Sequence, residues 1–406
     1  MRNPENILNS LREHSAQNNY SYDRLYRILY NQDFLLMAYQ NIYANKGNMT
    51  AGVDGQTIDA MSLDRINKII NNLKDEKYSP NPARRTYIPK KNGKMRPLGI
   101  PSINDKLIQE AMRMILEAIY DDSFEDTSHG FRPNKSCHTA LRQIQNRFTR
   151  CKWFVEGDMK GFFDNIDHNV MIQILRKRIK DEKFLRLIRK FLNAGYMENN
   201  ALHNTYSGAV QGGIISPILA NIYLDQFDKY MKKYKEDFDK GKKRAVLKGY
   251  TKMGDKRHRL VEKIKKAQNS ENKALLIKEL KEHDAVYHSM PRSDVMDDSF
   301  KRIQYTRYAD DFLIGVIGSK KDAEQIKADI AMYLNNVLKL ELSQEKTLVT
   351  IATDKARFLG FDIRARKQSG LQRKTKKGCY ARNKSEESVT ITQLPTIGQN
   401  FISLDT

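Results

Sequence analysis

Residues 303–315 set the architecture of this chain, and they read Ile303-Gln304-Tyr305-Thr306-Arg307-Tyr308-Ala309-Asp310-Asp311-Phe312-Leu313-Ile314-Gly315. Apolar and aromatic residues run up to two adjacent carboxylates, and an apolar run follows them. This pattern predicts a strand, a tight turn and a second strand, with Asp310 and Asp311 at the turn. Two neighbouring like charges repel each other, and a divalent cation such as Mg²⁺ or Mn²⁺ would offset that repulsion. Taken alone, the motif is also typical of an exposed Asp-Asp turn, so other parts of the chain must decide.

The composition points to a polyanionic partner. Among 406 residues, 71 Lys and Arg stand against 49 Asp and Glu, a formal net charge of +22. Nucleic acid is the first candidate for such a partner, and an anionic membrane surface is the second. No apolar run approaches the roughly 18 residues of a membrane span, and the N-terminus lacks a signal-peptide core. Three cysteines without a CxxC pair predict neither a disulfide framework nor a zinc site, which fits a reducing cytoplasm.

A basic β-hairpin is predicted at residues 84–101, because Asn92-Gly93 separates two strand-like runs. Its cations include Lys90 and Arg96, which would suit a lid that clamps phosphates. The alternative is a solvated, charged hairpin that protects a sheet edge from aggregation. Helical spacing of apolar residues predicts helices on both sides of the hairpin, at about 22–43, 61–73 and 105–120, and a further helix from about residue 139.

A third carboxylate, Asp158, follows the short apolar strand predicted at residues 153–158. The carboxylates of Asp164 and Asp167 better fit helix capping. Residues 207–220 predict a glycine-rich turn that opens onto an apolar helix, where small residues let a backbone or a nucleotide approach closely. An ordinary strand-to-helix turn is the alternative there. His129 is expected to be a hydrogen-bonding loop residue rather than a base.

Residues 228–300 are expected to form a helical insertion, rich in Lys and Arg up to about residue 282. The one-sided charge favours a phosphate-binding surface over a merely solvated helical hairpin. An amphipathic helix is predicted at 323–337, and Lys346 is expected near the start of a strand. Residues 357–363 predict a short strand pair or turn.

These features combine into one site. Three acids on adjacent antiparallel strands, Asp158, Asp310 and Asp311, can bind two divalent ions about 3.5–4 Å apart. That arrangement suits in-line phosphoryl or nucleotidyl transfer, in which one ion activates a hydroxyl and the other holds a leaving pyrophosphate. The cations of the hairpin would stabilise triphosphate charge, and Lys346 could protonate the leaving group.

The ordered series of motifs resembles the reverse transcriptases encoded by bacterial group II introns, the maturase class, from about residue 22 to 363. Asp158 with Phe163 is similar to the first catalytic motif of that family, and Tyr308-Ala309-Asp310-Asp311 is similar to its YxDD box. Further similar blocks are Ala209-Val210-Gln211-Gly212 with Ser216-Pro217, Phe358-Leu359-Gly360-Phe361, His129-Gly130-Phe131-Arg132-Pro133, and Thr50-Ala51-Gly52-Val53-Asp54-Gly55.

The resemblance implies an α+β fold: right-hand polymerase fingers and palm, with an antiparallel palm sheet flanked by helices and a basic helical insertion. The expected divisions are an N-terminal extension with fingers at 1–150 and a first palm part at 151–227. The insertion at 228–300, a second palm part with a primer grip at 301–365, and a basic tail or start of a thumb at 366–406 follow. Because the family continues into a helical thumb and often an endonuclease, a shortened protein is expected.

The resemblance also implies roles for individual residues. Asp158 and Asp310 would be the principal ligands of two Mg²⁺ ions, with Asp311 nearby. Phe163 would exclude a ribose 2′-hydroxyl, and Gln211 would line the nucleotide pocket. The remaining implied nucleotide-binding residues are Lys90, Arg96 and Lys346, and the implied primer grip is Phe358, Leu359 and Gly360.

The implied partners are an intron RNA template, a DNA or RNA primer and dNTPs, and a homodimer is left open. Two alternatives also remain open. One is an RNA-binding splicing cofactor without catalysis. The other is a reverse transcriptase of a retron, a diversity-generating element or a CRISPR-linked system, which the blocks at 50–55 and 129–133 disfavour.

Overall fold

A computed structural model describes most of the chain. The described residues are 2–17, 20–45, 47–89, 93, 95–199, 201–205, 207–209, 211–290, 292–293, 297–368, 372–374, 380–382 and 386–393, with no description of side chains at 366–388 and 393. Lys90, which was predicted to clamp phosphates, lies outside the described residues.

The described helices are α1 (Pro4–Ser15), α2 (Gln32–Tyr43), α3 (Leu63–Lys74), α4 (Ile103–Tyr120), α5 (Cys137–Arg147), α6 (Phe162–Asn165), α7 (His168–Arg176), α8 (Glu182–Asn193), α9 (Ser216–Phe238), α10 (Lys248–Lys266), α11 (Ser270–Ser289) and α12 (Lys320–Leu338). The described strands are β1 (Ala83–Pro89), β2 (Met95–Ile100), β3 (Trp153–Asp158), β4 (Tyr196–Glu198), β5 (Ala201–His203), β6 (Arg302–Tyr308), β7 (Asp311–Ile317), β8 (Val349–Ile351), β9 (Ala356–Phe358), β10 (Phe361–Gln368), β11 (Gln372–Lys374), β12 (Tyr380–Arg382) and β13 (Glu386–Gln393).

The central sheet has the strand order β6-β7-β3-β8, and all its neighbouring pairs are antiparallel. A second sheet, β2-β1-β4-β5, contains the basic hairpin, and a third, β13-β10-β9, lies beyond β8 along the chain. This mixture of predominantly antiparallel sheets and packed helices confirms the predicted α+β class. No helix within the described ranges combines the length and apolar character needed to cross a bilayer.

The local predictions mostly hold. The strand, turn and strand at 303–315 are confirmed as β6 and β7, and the basic hairpin is confirmed as β1 and β2. The glycine-rich turn opens onto α9, which continues through residue 228 to Phe238, so the helical insertion begins later than expected. Asp167 caps α7, accepting hydrogen bonds from the backbone N–H groups of Asn169 and Val170.

One prediction for the C-terminal third differs from the structure. Lys346 lies in a turn rather than at a strand start, because β8 begins only at Val349. Within the division at 366–406, which was predicted to be a basic tail or the start of a thumb, strand β13 pairs with β10 over eight residue pairs, from Phe361↔Gln393 to Gln368↔Glu386. That pairing joins segments 18 or more residues apart in sequence, and local periodicity carries no signal for it.

The main hydrophobic core lies between the central sheet and helices α4, α9 and α12. Phe312 of β7 and Phe227 of α9 are both buried there, with ring centroids 5.2 Å apart in an edge-to-face arrangement. A second cluster packs α5 against the other sheet face and against β9, β10 and β13. The central strands are therefore covered on both faces, which fixes their register.

Gly157 of β3 is required by this packing. It lies opposite Phe312 in the β3–β7 register, and a Cβ atom at residue 157 would overlap the Phe312 ring. A glycine in a strand interior often marks such a close approach. It places the ring directly behind the strand end that carries Asp158.

We expect Gly157→Ala to lower the free energy of unfolding by about 3 kcal/mol, because the new methyl group overpacks the core at Phe312. Urea unfolding measures the change. The control is Phe312→Leu, alone and combined with Gly157→Ala. Because the smaller side chain leaves room for the methyl group, the double variant should lose less free energy of unfolding than the sum of the two single losses. Strictly additive losses would contradict this steric explanation.

Candidate active site

Strand register brings the carboxylates of Asp158 and Asp311 together. Asp158 at the end of β3 is the direct cross-strand neighbour of Asp311 at the start of β7, and Asp311 pairs on its other side with Tyr308 of β6. Asp310 lies in the turn between β6 and β7. The structure therefore gathers at one sheet edge three acids that are 153 residues or less apart along the chain.

The electrostatics of the three acids reflect this proximity. The pKa of Asp311 is raised to about 7. Burial is the largest cause, followed by the charges of Asp310 and Asp158 and a hydrogen bond with the Asp158 side chain. Burial also raises the pKa of Asp310, with a smaller contribution from Asp158. Carboxylates confined in this way favour either a proton or a cation between them.

Two basic side chains face the acids. The Lys346 ammonium donates to Asp158 Oδ2 at 2.7 Å, and this hydrogen bond raises the pKa of Lys346. Lys346 and Arg96 both lower the pKa of Asp310 through their positive charge, which places the exposed Arg96 of β2 within electrostatic range of the turn. Arg96 and Lys346, both predicted as nucleotide-binding residues, thus lie near the acids.

The donor atoms suit divalent cations. Within the described ranges, no three His, Cys, Asp or Glu side chains already surround a single ion-sized position. Asp158, Asp310 and Asp311 nevertheless concentrate hard oxygen atoms at one edge, with one ammonium in direct contact. Three carboxylates thus share one directly bonded ammonium, and a divalent ion would correct this imbalance of charge.

The glycine-rich turn lies against the segment that follows β3. The Ala209 N–H donates to the Phe163 carbonyl at 2.7 Å, and a Cβ at Gly208 would come within 2.8 Å of that same oxygen. On its other side, the Gly99 N–H of β2 donates to the Gln211 carbonyl at 2.7 Å. The half-buried Phe163 and Gln211 are therefore held by one turn that also contacts the end of the basic hairpin.

Residues 358–360 form the turn between β9 and β10, where Leu359 has φ +53° and Gly360 has φ +80°. Phe358 is buried in the second core cluster. The buried Glu156 of β3, which sequence analysis did not single out, connects this hairpin to the central sheet. Its Oε2 accepts from the Arg357 N–H at 2.8 Å, and its Oε1 accepts from Thr350 Oγ1 at 2.7 Å.

Arg307 of β6 is a second residue that sequence analysis missed. Its side chain and that of Asp228 on α9 are fully buried, and Nη2 lies 2.5 Å from Oδ2. Nη1 donates to the Ala309 carbonyl at 2.9 Å. Ala309 has φ +54°, a left-handed conformation that costs an L-residue about 1 kcal/mol. Arg307 therefore stabilises the strained turn that carries Asp310, and its only sequence signal was a charge at an inward strand position.

The loop at 128–133 supports the same turn. Its Gly130 approaches so closely that a Cβ there would overlap the Ala309 backbone nitrogen, and its Ser128 Oγ accepts from Arg307 Nη2 at 2.6 Å. His129 is buried, with ring nitrogens 2.8 Å from Thr139 Oγ1 and 3.2 Å from Gln143 Oε1. It is a hydrogen-bonded loop residue, as predicted.

Comparison with known proteins identifies the family. The family profile described as Reverse transcriptase (RNA-dependent DNA polymerase) matches residues 88–247. Group II intron-encoded protein LtrA of Lactococcus lactis subsp. cremoris is 47% identical over 372 residues, 91% of this chain and 61% of that protein. Protein YkfC of Escherichia coli K12 is 34% identical over 363 residues, 86% of this chain and 85% of that protein. The chain belongs to the group II intron-encoded reverse transcriptases.

Members of the reverse transcriptase family generally use divalent metal ions. Another relative, Putative COX1/OXI3 intron 1 protein of Saccharomyces cerevisiae, is 39% identical over 359 residues, 88% of this chain and 41% of that protein. The chain thus spans less than two thirds of LtrA and less than half of the yeast protein.

The buried carboxyl of Asp225 on α9 should make the stability of the fold depend on pH. It lies on α9 one turn before Asp228, and burial raises its pKa to about 6, with Lys229 acting in the opposite direction. Because its pKa in the unfolded chain is about 4, the folded state holds the proton more tightly. The resulting stabilisation is complete below about pH 4 and is lost as pH rises through about 6.

We therefore expect Asp225→Asn to gain stability relative to the parent as pH rises from 4 to 7, by about 2 kcal/mol. Urea unfolding of both proteins at the two pH values measures the change. Asp237→Asn, which removes an exposed carboxylate from the same helix, should show no such trend. Equal pH dependence in Asp225→Asn and the parent would contradict the assignment.

Proposed function

We propose that the chain is an RNA-directed DNA polymerase of a group II intron, which transfers nucleotides with two divalent cations, preferably Mg²⁺, and also binds intron RNA to assist splicing. The observation that carries the proposal is the convergence of Asp158, Asp310 and Asp311 on one sheet edge beside Lys346 and Arg96. The family of the chain supports the same conclusion.

In this proposal Asp158 and Asp310 hold the cations, and Asp311 lies beside them. When bound, the cations supply Lewis-acid activation of a primer hydroxyl and charge stabilisation of a leaving pyrophosphate. The chain's own part is to hold the carboxylates in place: Asp158 and Asp311 by strand register, and Asp310 by the turn that Arg307 stabilises. Such fixed positions avoid reorganisation during the reaction.

Basic residues complete the nucleotide site. We assign Arg96 to the triphosphate, since it is exposed on β2 and acts electrostatically on Asp310. Lys346 keeps its proton near Asp158, and this supports a role as the acid that protonates the leaving group. Lys90 remains a proposed phosphate contact on the strength of the sequence alone.

Phe163 and Gln211 are proposed to shape the nucleotide pocket. The hydrogen bond from Ala209 to the Phe163 carbonyl and that from Gly99 to the Gln211 carbonyl couple the two positions to the basic hairpin. A ring held at Phe163 would leave no room for a ribose 2′-hydroxyl, which is how a polymerase selects deoxynucleotides. The geometry supports this role because the surrounding glycines permit close backbone approach.

The β9–β10 turn at Phe358, Leu359 and Gly360 is proposed to grip the primer. Glu156 is then a positioning residue, since it joins Arg357 next to that turn to the strand that ends in Asp158. Glu156 and Asp158 point to the same face of β3, because side chains alternate along a strand. The distance between the primer end and the carboxylates is thereby fixed through one side chain.

An RNA template, a DNA or RNA primer and dNTPs are the proposed partners. The net charge of +22 supports a nucleic-acid ligand. A reducing, cytoplasmic location is proposed because the three cysteines of the sequence include no CxxC pair.

We expect Asp310→Asn to reduce dNTP incorporation on a primed RNA template by at least about a thousandfold, about 4 kcal/mol of transition-state stabilisation, because a ligand charge is lost. Primer extension with and without Mg²⁺ measures the effect. Asp354→Asn, which changes an exposed carboxylate after β8, is the matched control and should retain parent activity. Undiminished incorporation by a folded Asp310→Asn protein would refute the polymerase and favour a splicing cofactor without catalysis.

We expect Glu156→Ala to raise KM for the primer–template about tenfold with a much smaller change in KM for dNTP, because the primer turn loses its link to β3. Glu156→Gln should restore most of the affinity, since its amide oxygen can accept from Arg357 and its amide nitrogen can donate to Thr350. Steady-state primer extension separates the two constants. Parallel changes in both constants, or no rescue by glutamine, would indicate a general structural role.

A further inference from the structure

The charge of the helical insertion is concentrated on one of its two helices. Helix α10 carries eight Lys and Arg against two Asp and Glu, whereas α11 carries three Lys against four Asp and Glu. The two helices pack side by side and are joined by residues 267–269. Their difference in charge is therefore a difference between two neighbouring surfaces of one hairpin.

Six cations of α10 form a single stripe, which we call the α10 cationic face. Their spacings of four, four, three, four and three residues keep them within an arc of about 80° at 100° per residue, over a length of about 27 Å. All six are exposed. The members are Lys248, Lys252, Lys256, Arg259, Lys263 and Lys266.

The opposite face of α10 is covered by α11. Tyr250 is buried and stacks on Tyr287 with ring centroids 4.5 Å apart. Arg257, which lies outside the stripe, pairs with Asp284 through a bond of 2.8 Å from Nε to Oδ1. The packing of the hairpin therefore buries the aromatic residue of α10 and turns most of the cationic face away from α11.

The cations of the α10 cationic face make few ion pairs within the described ranges. Of its six members, only Lys256 has an ion pair within the described ranges, with Glu279 at 3.6 Å. Arg257 and Lys265, which lie on other faces of the helix, are paired with Asp284 and Glu262. A row of unpaired like charges repels itself and is relieved by a polyanion, which also releases counterions.

A stem fixes the hairpin to the central sheet. The Leu247 N–H donates to the Arg292 carbonyl at 3.1 Å, and the Ala245 N–H donates to Asp297 Oδ2 at 2.6 Å. Lys240 and Lys301 exchange backbone hydrogen bonds one residue before β6 begins. The cationic face is thus presented from a defined place beside β6, the strand that leads to the Asp310 turn.

We propose that the α10 cationic face binds the backbone phosphates of double-helical RNA. The inference rests on the proposed function, which requires a structured RNA partner. A straight row of point charges suits the phosphates of a duplex, which is recognised by shape and backbone. Proteins that bind single strands rely on exposed aromatic rings for stacking, and the cationic face has none. Duplex binding through this face is sequence-independent and strongly dependent on salt.

The test uses the full chain and a variant with Lys252→Ala, Arg259→Ala and Lys263→Ala. The probes are an RNA duplex of about 20 base pairs, long enough to exceed the span of known double-strand binders, and oligo(U) of equal length. Binding is measured from low to moderate KCl. We expect duplex affinity to fall at least about tenfold and the slope of log K against log salt to become shallower by about 2–3, since each lost phosphate contact removes about 0.9. Oligo(U) binding should change much less.

Two control variants isolate the face. Lys273→Ala, Lys278→Ala and Lys281→Ala together remove the same charge from exposed positions on α11, and should keep the parent's affinity and slope. Lys252→Arg, Arg259→Lys and Lys263→Arg together preserve the charge and should bind as the parent does. Equal losses in the α10 and α11 alanine variants would overturn the proposal in favour of a net-charge effect.

Further outcomes separate this inference from the function on which it rests. Binding to vesicles that contain phosphatidylserine is measured as well. Unchanged duplex binding by the α10 alanine variant would overturn the RNA assignment. If that variant instead loses affinity only for the vesicles, the face binds a membrane surface. Nucleotide addition by the parent chain is measured in parallel. A parent that adds no nucleotides, yet binds duplex RNA through α10 alone, would refute the polymerase while upholding the binding face.

Discussion

The buried ion pair between Arg307 and Asp228 holds the carboxylate turn against the helix behind it. Removing both charges from water costs several kcal/mol for each ion, and this loss is offset only when hydrogen bonding is complete. It is complete here, because the five N–H groups of the guanidinium meet five acceptors, two of them the Asp228 oxygens. A lysine has three donors and no planar fork, so it could not reproduce this set. The pair therefore contributes geometry more than stability, and the geometry it fixes is the left-handed Ala309 next to Asp310.

Close backbone approach makes the remaining contacts of the site possible. Gly130 fits against Ala309, Gly208 lies over the Phe163 carbonyl, and Gly212 meets the Gly99 carbonyl, where a Cβ would be only 2.8 Å away. At each place a side chain would separate two segments that carry proposed functional residues. The acids, the pocket and the basic hairpin are consequently positioned by main-chain contacts, which are less adaptable than flexible side chains. This rigidity is the condition under which Asp311, whose pKa is raised by burial and by the charges of Asp310 and Asp158, stays beside those two acids without moving apart to relieve the repulsion.

Local signals predicted the elements, whereas the site depends on contacts between distant segments. The β6–β7 hairpin and the β1–β2 hairpin follow from alternation and turn residues, and both were found from sequence. The proximity of Asp158 and Asp311 was expected from the chemistry of a shared metal site and from the resemblance, since register across 153 residues leaves no local pattern. Glu156 reaches a backbone N–H 201 residues away, and Arg307 reaches a carboxylate 79 residues away. Neither partner is marked in the sequence, so both residues were missed. The strand start expected at Lys346 was wrong because the turn there is fixed by contacts of the preceding segment with β3, such as the hydrogen bond from the Ser343 N–H to the Asp158 carbonyl.

Strand β6 connects the stem of the helical insertion with the turn that carries Asp310. At its start, Arg302 donates to the carbonyls of Lys240 and Gly241 in the stem of the insertion, and at its end Tyr308 leads into the turn with Asp310. Seven residues of strand span about 20 Å, so the stem and the acids are held at a fixed separation by one covalent element paired along its length with β7. A duplex bound to α10 would thus have a defined orientation relative to the carboxylates. Because exposed charges separated by more than about 10 Å are largely screened at ordinary salt, the cations of α10 can be selected for RNA affinity without altering the ionisation of Asp310 and Asp311.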